Sequence, residues 1–195
     1  MKNATQSVIA AAVVLAMAAA PAFAAQKKHA AAKKGSAPND TTFVTNAAKG
    51  GLAEVELGKL ATEKAASDQV KQFGQRMVDD HSKANDELKT LAQQKNITPP
   101  TDLDAKDKAL RMRLTKLSGA PFDRAYMQAM LSDHKKDVNE FRVESTSGKD
   151  ADIKAFASKT LPTLEDHLKL AQDTTKAVGT SGTMPSKKSS KFPPK

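Results

Sequence analysis

The sequence predicts an all-α protein: an antiparallel four-helix bundle with a short extra helix between its second and third long helices. Three observations predict it. Apolar residues recur at spacings of three and four through almost all of residues 40–178. Alternating apolar and polar runs, the mark of a half-buried strand, are missing, and aromatics make up only 4% of the chain. Breaks fall where helices must stop, at Pro99-Pro100 and at Ser118-Gly119-Ala120-Pro121.

The chain opens on a targeting segment. Lys2 precedes an apolar run from Val8 to Ala20, and Ala22-Phe23-Ala24 fits the small-x-small rule of signal peptidase, so residues 1–24 are expected to be cut away after Ala24. That run is too short to span a membrane, and no later stretch approaches the ~20 apolar residues a span needs. The expected location is the periplasm or cell envelope. Residues 25–39 form a Lys/Ala-rich leader and 179–195 a basic Ser/Pro tail, both too polar to offset the entropy of ordering them. Residues 40–178 are the bundle.

The first long helix is expected from Asp40/Thr41 to about Ala66. Ser67 should cap the second, which runs through Phe73, Met77, Leu88 and Leu91 to about Lys95. NITPPTD (96–102) stops it, and a short helix covers Asp104 to Leu117. Pro121 suits the first turn of the third long helix, which Gly148 ends after Ser147. The fourth runs from about Asp150 to Ala177, with a kink expected at Pro162. Helices about 40 Å long must bury their apolar stripes against one another. Short connections make the first and last pairs hairpins, and the longer middle segment carries the chain across the bundle.

The net charge of +9 lies wholly outside the helices. Residues 40–178 hold 22 basic and 22 acidic side chains, and nine lysines stand before or after them. The folded part has no basic stripe interleaved with stacking aromatics, which speaks against nucleic acid as a partner. Lysine-rich ends suit anionic envelope polymers or lipid head groups, or serve solubility alone. The absence of cysteine excludes disulfides, a thiol-linked lipid anchor, a Cys nucleophile and any thiolate metal site. Metal chemistry is left to His, Asp and Glu.

Three of the four histidines follow an aspartate: Asp80-His81, Asp133-His134 and Asp166-His167. Each fills a gap in an apolar stripe. His81 falls between Met77 and Ala84, His134 between Met130 and Val138, and His167 between Leu164 and Ala171. The first helix offers a seam of small residues, Ala47, Gly51, Gly58, Ala61 and Ala65, with one large polar member, Glu54. Glu54, His81, His134 and His167, one from each long helix, are a nitrogen and oxygen set suited to Fe, Mn, Zn or Cu. Asp80, Asp133 and Asp166 are candidates for further ligands, or for acceptors of the second imidazole N–H. The competing reading is a buried polar network that fixes helix register in a non-catalytic envelope protein. Catalysis of the hydrolase kind finds no support. There is no G-x-S-x-G elbow or phosphate loop, and Asp-His neighbours on one helix diverge around its axis.

FVTNAAKGGLAEVELGKLATEKAASDQVKQFGQRMVDDHSKANDEL, LSGAPFDRAYMQAMLSDHKKDV and LPTLEDHL together resemble the bacterial family called domain of unknown function 4142. The likeness covers about Thr42 to Asp173 and implies a ferritin-like bundle in an exported protein, without implying an activity. Ferritin-like di-iron proteins pair glutamates with Glu-x-x-His. Here Val78, Leu131 and Leu164 stand three residues before the histidines, so a mononuclear or His-rich site is the expectation.

Overall fold

The computed structural model describes residues 39–180, which are all-helical apart from connections. The targeting segment, the leader before residue 39 and the tail after residue 180 lie outside the described residues. The five helices are α1 (Asp40–Lys64), α2 (Asp68–Gln94), α3 (Ala105–Thr115), α4 (Gly119–Ser147) and α5 (Ala151–Thr180).

Side-chain caps fix several starts. Asn39 Oδ1 accepts from the Thr41 and Thr42 N–H groups at 3.0 and 3.3 Å. Asp104 Oδ1 accepts from Asp107 N–H, and Asp150 Oδ1 from those of Asp152 and Ile153. Ser67 holds the N-cap position of α2, but its hydroxyl makes no capping bond. That turn is held from across the molecule, where the Asp123 carboxylate accepts from Ala66 N–H at 3.0 Å and Ser67 N–H at 2.9 Å. A long-range carboxylate thus does the work expected of a local serine.

The other hairpin is held the same way. The Asp40 carboxylate accepts from Lys149 and Asp150 N–H groups at 3.1 and 2.8 Å. The start of α1 therefore meets the end of α4, and the start of α4 meets the end of α1, so the two run in opposite directions. With only residues 65–67 and 148–150 joining the hairpins, α2 reverses α1 and α5 reverses α4. It follows that α2 and α4 point the same way, and the segment 95–118 must return the chain along the molecule's length. Packing contacts join α1 to α2, α4 to α5, α1 to α4 and α2 to α5, while α3 rests on α1 and α4.

Glycines set the closest approach. A Cβ on Gly58 would stand 2.7 Å from the Gly74 carbonyl oxygen, and one on Gly74 would stand 2.8 Å from Ala61 Cβ. Only glycine lets the α1 and α2 backbones meet there. At Gly51 a Cβ would collide with the Asn85 side-chain amide.

The core is divided in two. One cluster gathers Leu57, Phe73, Met77, Phe122, Tyr126 and Met130, the other Phe43, Val44, Leu88, Phe141, Ile153 and Leu164. On each long helix the division falls at a polar residue: Glu54 on α1, His81 on α2, His134 on α4 and His167 on α5. Periodicity placed these four on inward faces. Their common height is a property of the packed fold.

Candidate metal centre

The histidine rings touch one another across the bundle axis. Ring centroids lie 5.9 Å apart for His81 and His134, 5.3 Å for His81 and His167, and 5.4 Å for His134 and His167. One ring nitrogen from each comes within 4.8 Å of one from each of the others. His134 and His167 have no exposed surface, and His81 is 6% exposed.

Each ring spends one nitrogen on an oxygen acceptor. His81 Nδ1 lies 2.9 Å from Glu54 Oε2. His134 Nδ1 lies 2.9 Å from the Met130 carbonyl oxygen, and because a carbonyl only accepts, that nitrogen carries the proton. His167 Nε2 lies 2.8 Å from Asp80 Oδ2, which also takes a 3.2 Å contact from Arg76 Nε. The other nitrogen of each ring, His81 Nε2, His134 Nε2 and His167 Nδ1, is buried and has no protein partner. One imidazole nitrogen fixed by a carboxylate or backbone carbonyl, with the other left for the ion, is how proteins orient metal-binding histidines. The described residues therefore contain a buried histidine triad that could hold a metal.

The site is electrically asymmetric. Burial works to raise the Glu54 pKa, but the charges of His81 and His134 and the His81 hydrogen bond prevail, holding it at about 2. Burial pulls His81 down, yet the Glu54 carboxylate wins and its pKa is raised. His167 is lowered to about 4, chiefly by burial and by repulsion from the other two rings, against the Asp80 hydrogen bond. At neutral pH His167 is therefore uncharged, and its Nδ1 lone pair is free to donate to a cation.

The structure separates the candidate residues. Glu54 faces the Nδ1 atoms of His81 and His134 rather than joining the triad of nitrogens, its Oε1 lying 3.3 Å from His134 Nδ1. Asp80 crosses from α2 to α5 to hold His167. Asp133 instead faces Lys106 at 3.5 Å, and Asp166 is exposed; neither is brought to the triad. Sequence reasoning missed Asp137, three residues beyond His134. Burial, and then the negative charge of Glu54, push its carboxyl well above the usual range. The signal was present, since an acid at i+3 from an inward histidine shares its face. Tyr126 is fully buried in the cluster of Phe73, Phe122 and Met130, its hydroxyl without a partner and its pKa raised by burial and the Glu54 charge.

A small cavity of about 20 Å³ adjoins His81 and Glu54 on the side of the cluster that holds Leu88, Phe141 and Leu164. It is lined by Gly50, Gly51, Asn85, Asp137 and Thr160 among others, and its volume is that of roughly one water-sized probe. Among the described residues no helix is long and apolar enough to cross a membrane.

Comparison with known proteins agrees with this architecture. The family described as a domain of unknown function (DUF4142) matches residues 24–174, and the chain belongs to that family. A crystal structure of a DUF305 protein from Streptomyces coelicolor superposes with a TM-score of 0.62 at 14% identity, over 72% of this chain and 92% of that one. A DUF305 fragment from Deinococcus radiodurans does so with a TM-score of 0.62 at 11% identity, over 73% and 97%. At such identities the likeness is one of fold. No curated protein matches the chain.

Proposed function

We propose that this member of the DUF4142 family is an exported, ferritin-like four-helix bundle that binds one transition-metal ion through His81, His134 and His167. The observation that carries the reading is the set of three buried, unpartnered ring nitrogens, one per histidine, with each ring's other nitrogen already fixed. A purely structural polar layer leaves three buried polar atoms unsatisfied, at a cost on the order of 1–3 kcal/mol each. An ion removes that cost.

The donor set narrows the ion. Three imidazoles without a thiolate suit Zn, Cu, Fe or Mn far better than the oxygen-loving Ca or Mg, and a bound ion takes the place of the proton that Glu54 favours on His81. Tetrahedral ligands at zinc distances stand roughly 3.3 Å apart. Ring shifts of about an ångström would close the present 4.8 Å set around one ion. Glu54 and Asp80 act behind the ligands, orienting His81 and His167 and offsetting the ion's charge. The reverse-running neighbours and the long α2–α4 return support a ferritin-like bundle, but no Glu-x-x-His is present to build a di-iron pair. The role we assign is metal binding in the cell envelope, for buffering or protection, with the lysines of both ends held against anionic polymers.

Elemental analysis tests this reading. Protein purified without chelator, or reloaded with Zn, Cu, Fe or Mn, should hold close to one ion per chain. A folded His81/His134/His167→Ala variant should hold none. Equal metal in both, or none in either after reloading, overturns the proposal.

A further inference from the structure

The proposed site leaves Asp137 without a task, although its side chain lines two spaces at once. One is the small cavity beside His81. The other is a groove of about 250 Å³ between α1 and α4, bounded by the first turn of α3. Gly50, Glu54 and Asp137 line both, so these three residues form the wall between them. Glu54 is 3% exposed, and its Oε1, 3.3 Å from His134 Nδ1, makes no hydrogen bond. A Cβ on Gly50 would still stand 3.9 Å from Asp137 Oδ2, and the glycine places no side chain there to obstruct passage.

The groove is acidic in balance. Asp104, Asp107, Asp133 and Glu54 stand against Lys49, Lys106 and Lys136, with the Asp137 carboxyl group among them. Two of those lysines are engaged with acids, Lys106 with Asp133 at 3.5 Å and Lys136 with Glu140 at 3.4 Å. Any ion that reaches the histidine layer has to avoid the apolar clusters above and below it, because an unpaired charge in such surroundings is prohibitively costly. A cleft lined by negative charge with low-dielectric walls draws cations in and speeds their arrival.

We propose that the groove between α1 and α4 is the route by which a divalent cation reaches the histidine layer, with Asp137 passing it across the gap at Gly50 towards His81. This rests on the metal-binding reading above. A residue on the route changes loading and release by the same factor and leaves affinity alone, whereas a ligand changes affinity.

Stopped-flow loading of the full chain with Co(II), and release into a chelator, separate these cases. Asp137→Asn should slow loading about tenfold and slow release equally, with the Kd within about twofold. Lys106→Glu, at an exposed residue beside the groove, should speed loading, and added salt should slow the wild type. Unchanged rates in both variants, or weaker affinity at an unchanged loading rate in Asp137→Asn, overturn the route while the site itself stands. Wild-type protein that takes up no histidine-dependent Co(II) overturns the site and the route together.

Discussion

Replacing Glu144 by glutamine should change the pH dependence of stability and little else. Glu144 has no exposed surface, and neither of its carboxyl oxygens has a hydrogen-bond partner. It lies under Gly148, close to Asp40, whose own carboxylate is committed to the Lys149 and Asp150 N–H groups. Burial first, and then the Asp40 charge, push Glu144 up to about 7 from an ordinary 4.5. Between those values the native state keeps a proton that the unfolded chain has lost, so stability falls as pH rises through this window. At 1.36 kcal/mol per pKa unit the ceiling on the loss is about 3 kcal/mol. The position near the end of the bundle, with Lys154 opposing the shift, brings the expectation down to about 1–3 kcal/mol. Glutamine keeps the shape and cannot ionise. Urea unfolding from pH 5 to pH 8 should show the two proteins matched near pH 5 and the variant more stable by that amount near pH 8. Parallel curves, or a variant weaker at every pH, would refute the reasoning.

Other perturbations have equally definite outcomes. Asp80→Asn loosens the His167 ring and should weaken metal affinity about 10–100-fold, read by competition with a chromophoric chelator, with the helical circular dichroism unchanged. Gly58→Ala sets a Cβ 2.7 Å from the Gly74 carbonyl and should destabilise by about 1–3 kcal/mol in urea. Gly50→Ala meets nothing closer than 3.9 Å and should be neutral, or stabilising by about 0.5–1 kcal/mol. Asp123→Ala orphans the Ala66 and Ser67 N–H groups, and differential scanning calorimetry should show a loss of about 1–2 kcal/mol.

Most of the helical framework was legible in the sequence because its signals are local. Apolar spacing gave the helices, and Pro99-Pro100, Gly148 and the cap residues gave their ends to within a few residues. The inward histidines were legible for the same reason, as gaps in a stripe. What depends on two helices at once was not. Ser67 is a good cap by type, yet the turn belongs to Asp123, 56 residues away. Asp80, Asp133 and Asp166 look alike in sequence, each ~100° round from its histidine. Only the rotation of each helix decides that Asp80 meets His167, Asp133 meets Lys106 and Asp166 meets solvent. The spacing of α1 sets Glu54 inward, where it is buried, but whether it turns to an ion or to the histidines' Nδ1 atoms is a matter of ångströms that periodicity does not carry. Asp137 is masked in the sequence by Val138 beside it, which completes the apolar stripe.

The central claim is that the three unpartnered nitrogens of His81, His134 and His167 converge on one ion. X-ray absorption at the zinc edge of the zinc-loaded full chain tests it most directly. The account predicts nitrogen neighbours at 2.0–2.1 Å, with multiple-scattering features that fit three imidazoles and lose one when His134 is replaced. A first shell of oxygens without imidazole, or a spectrum indifferent to that replacement, would contradict it.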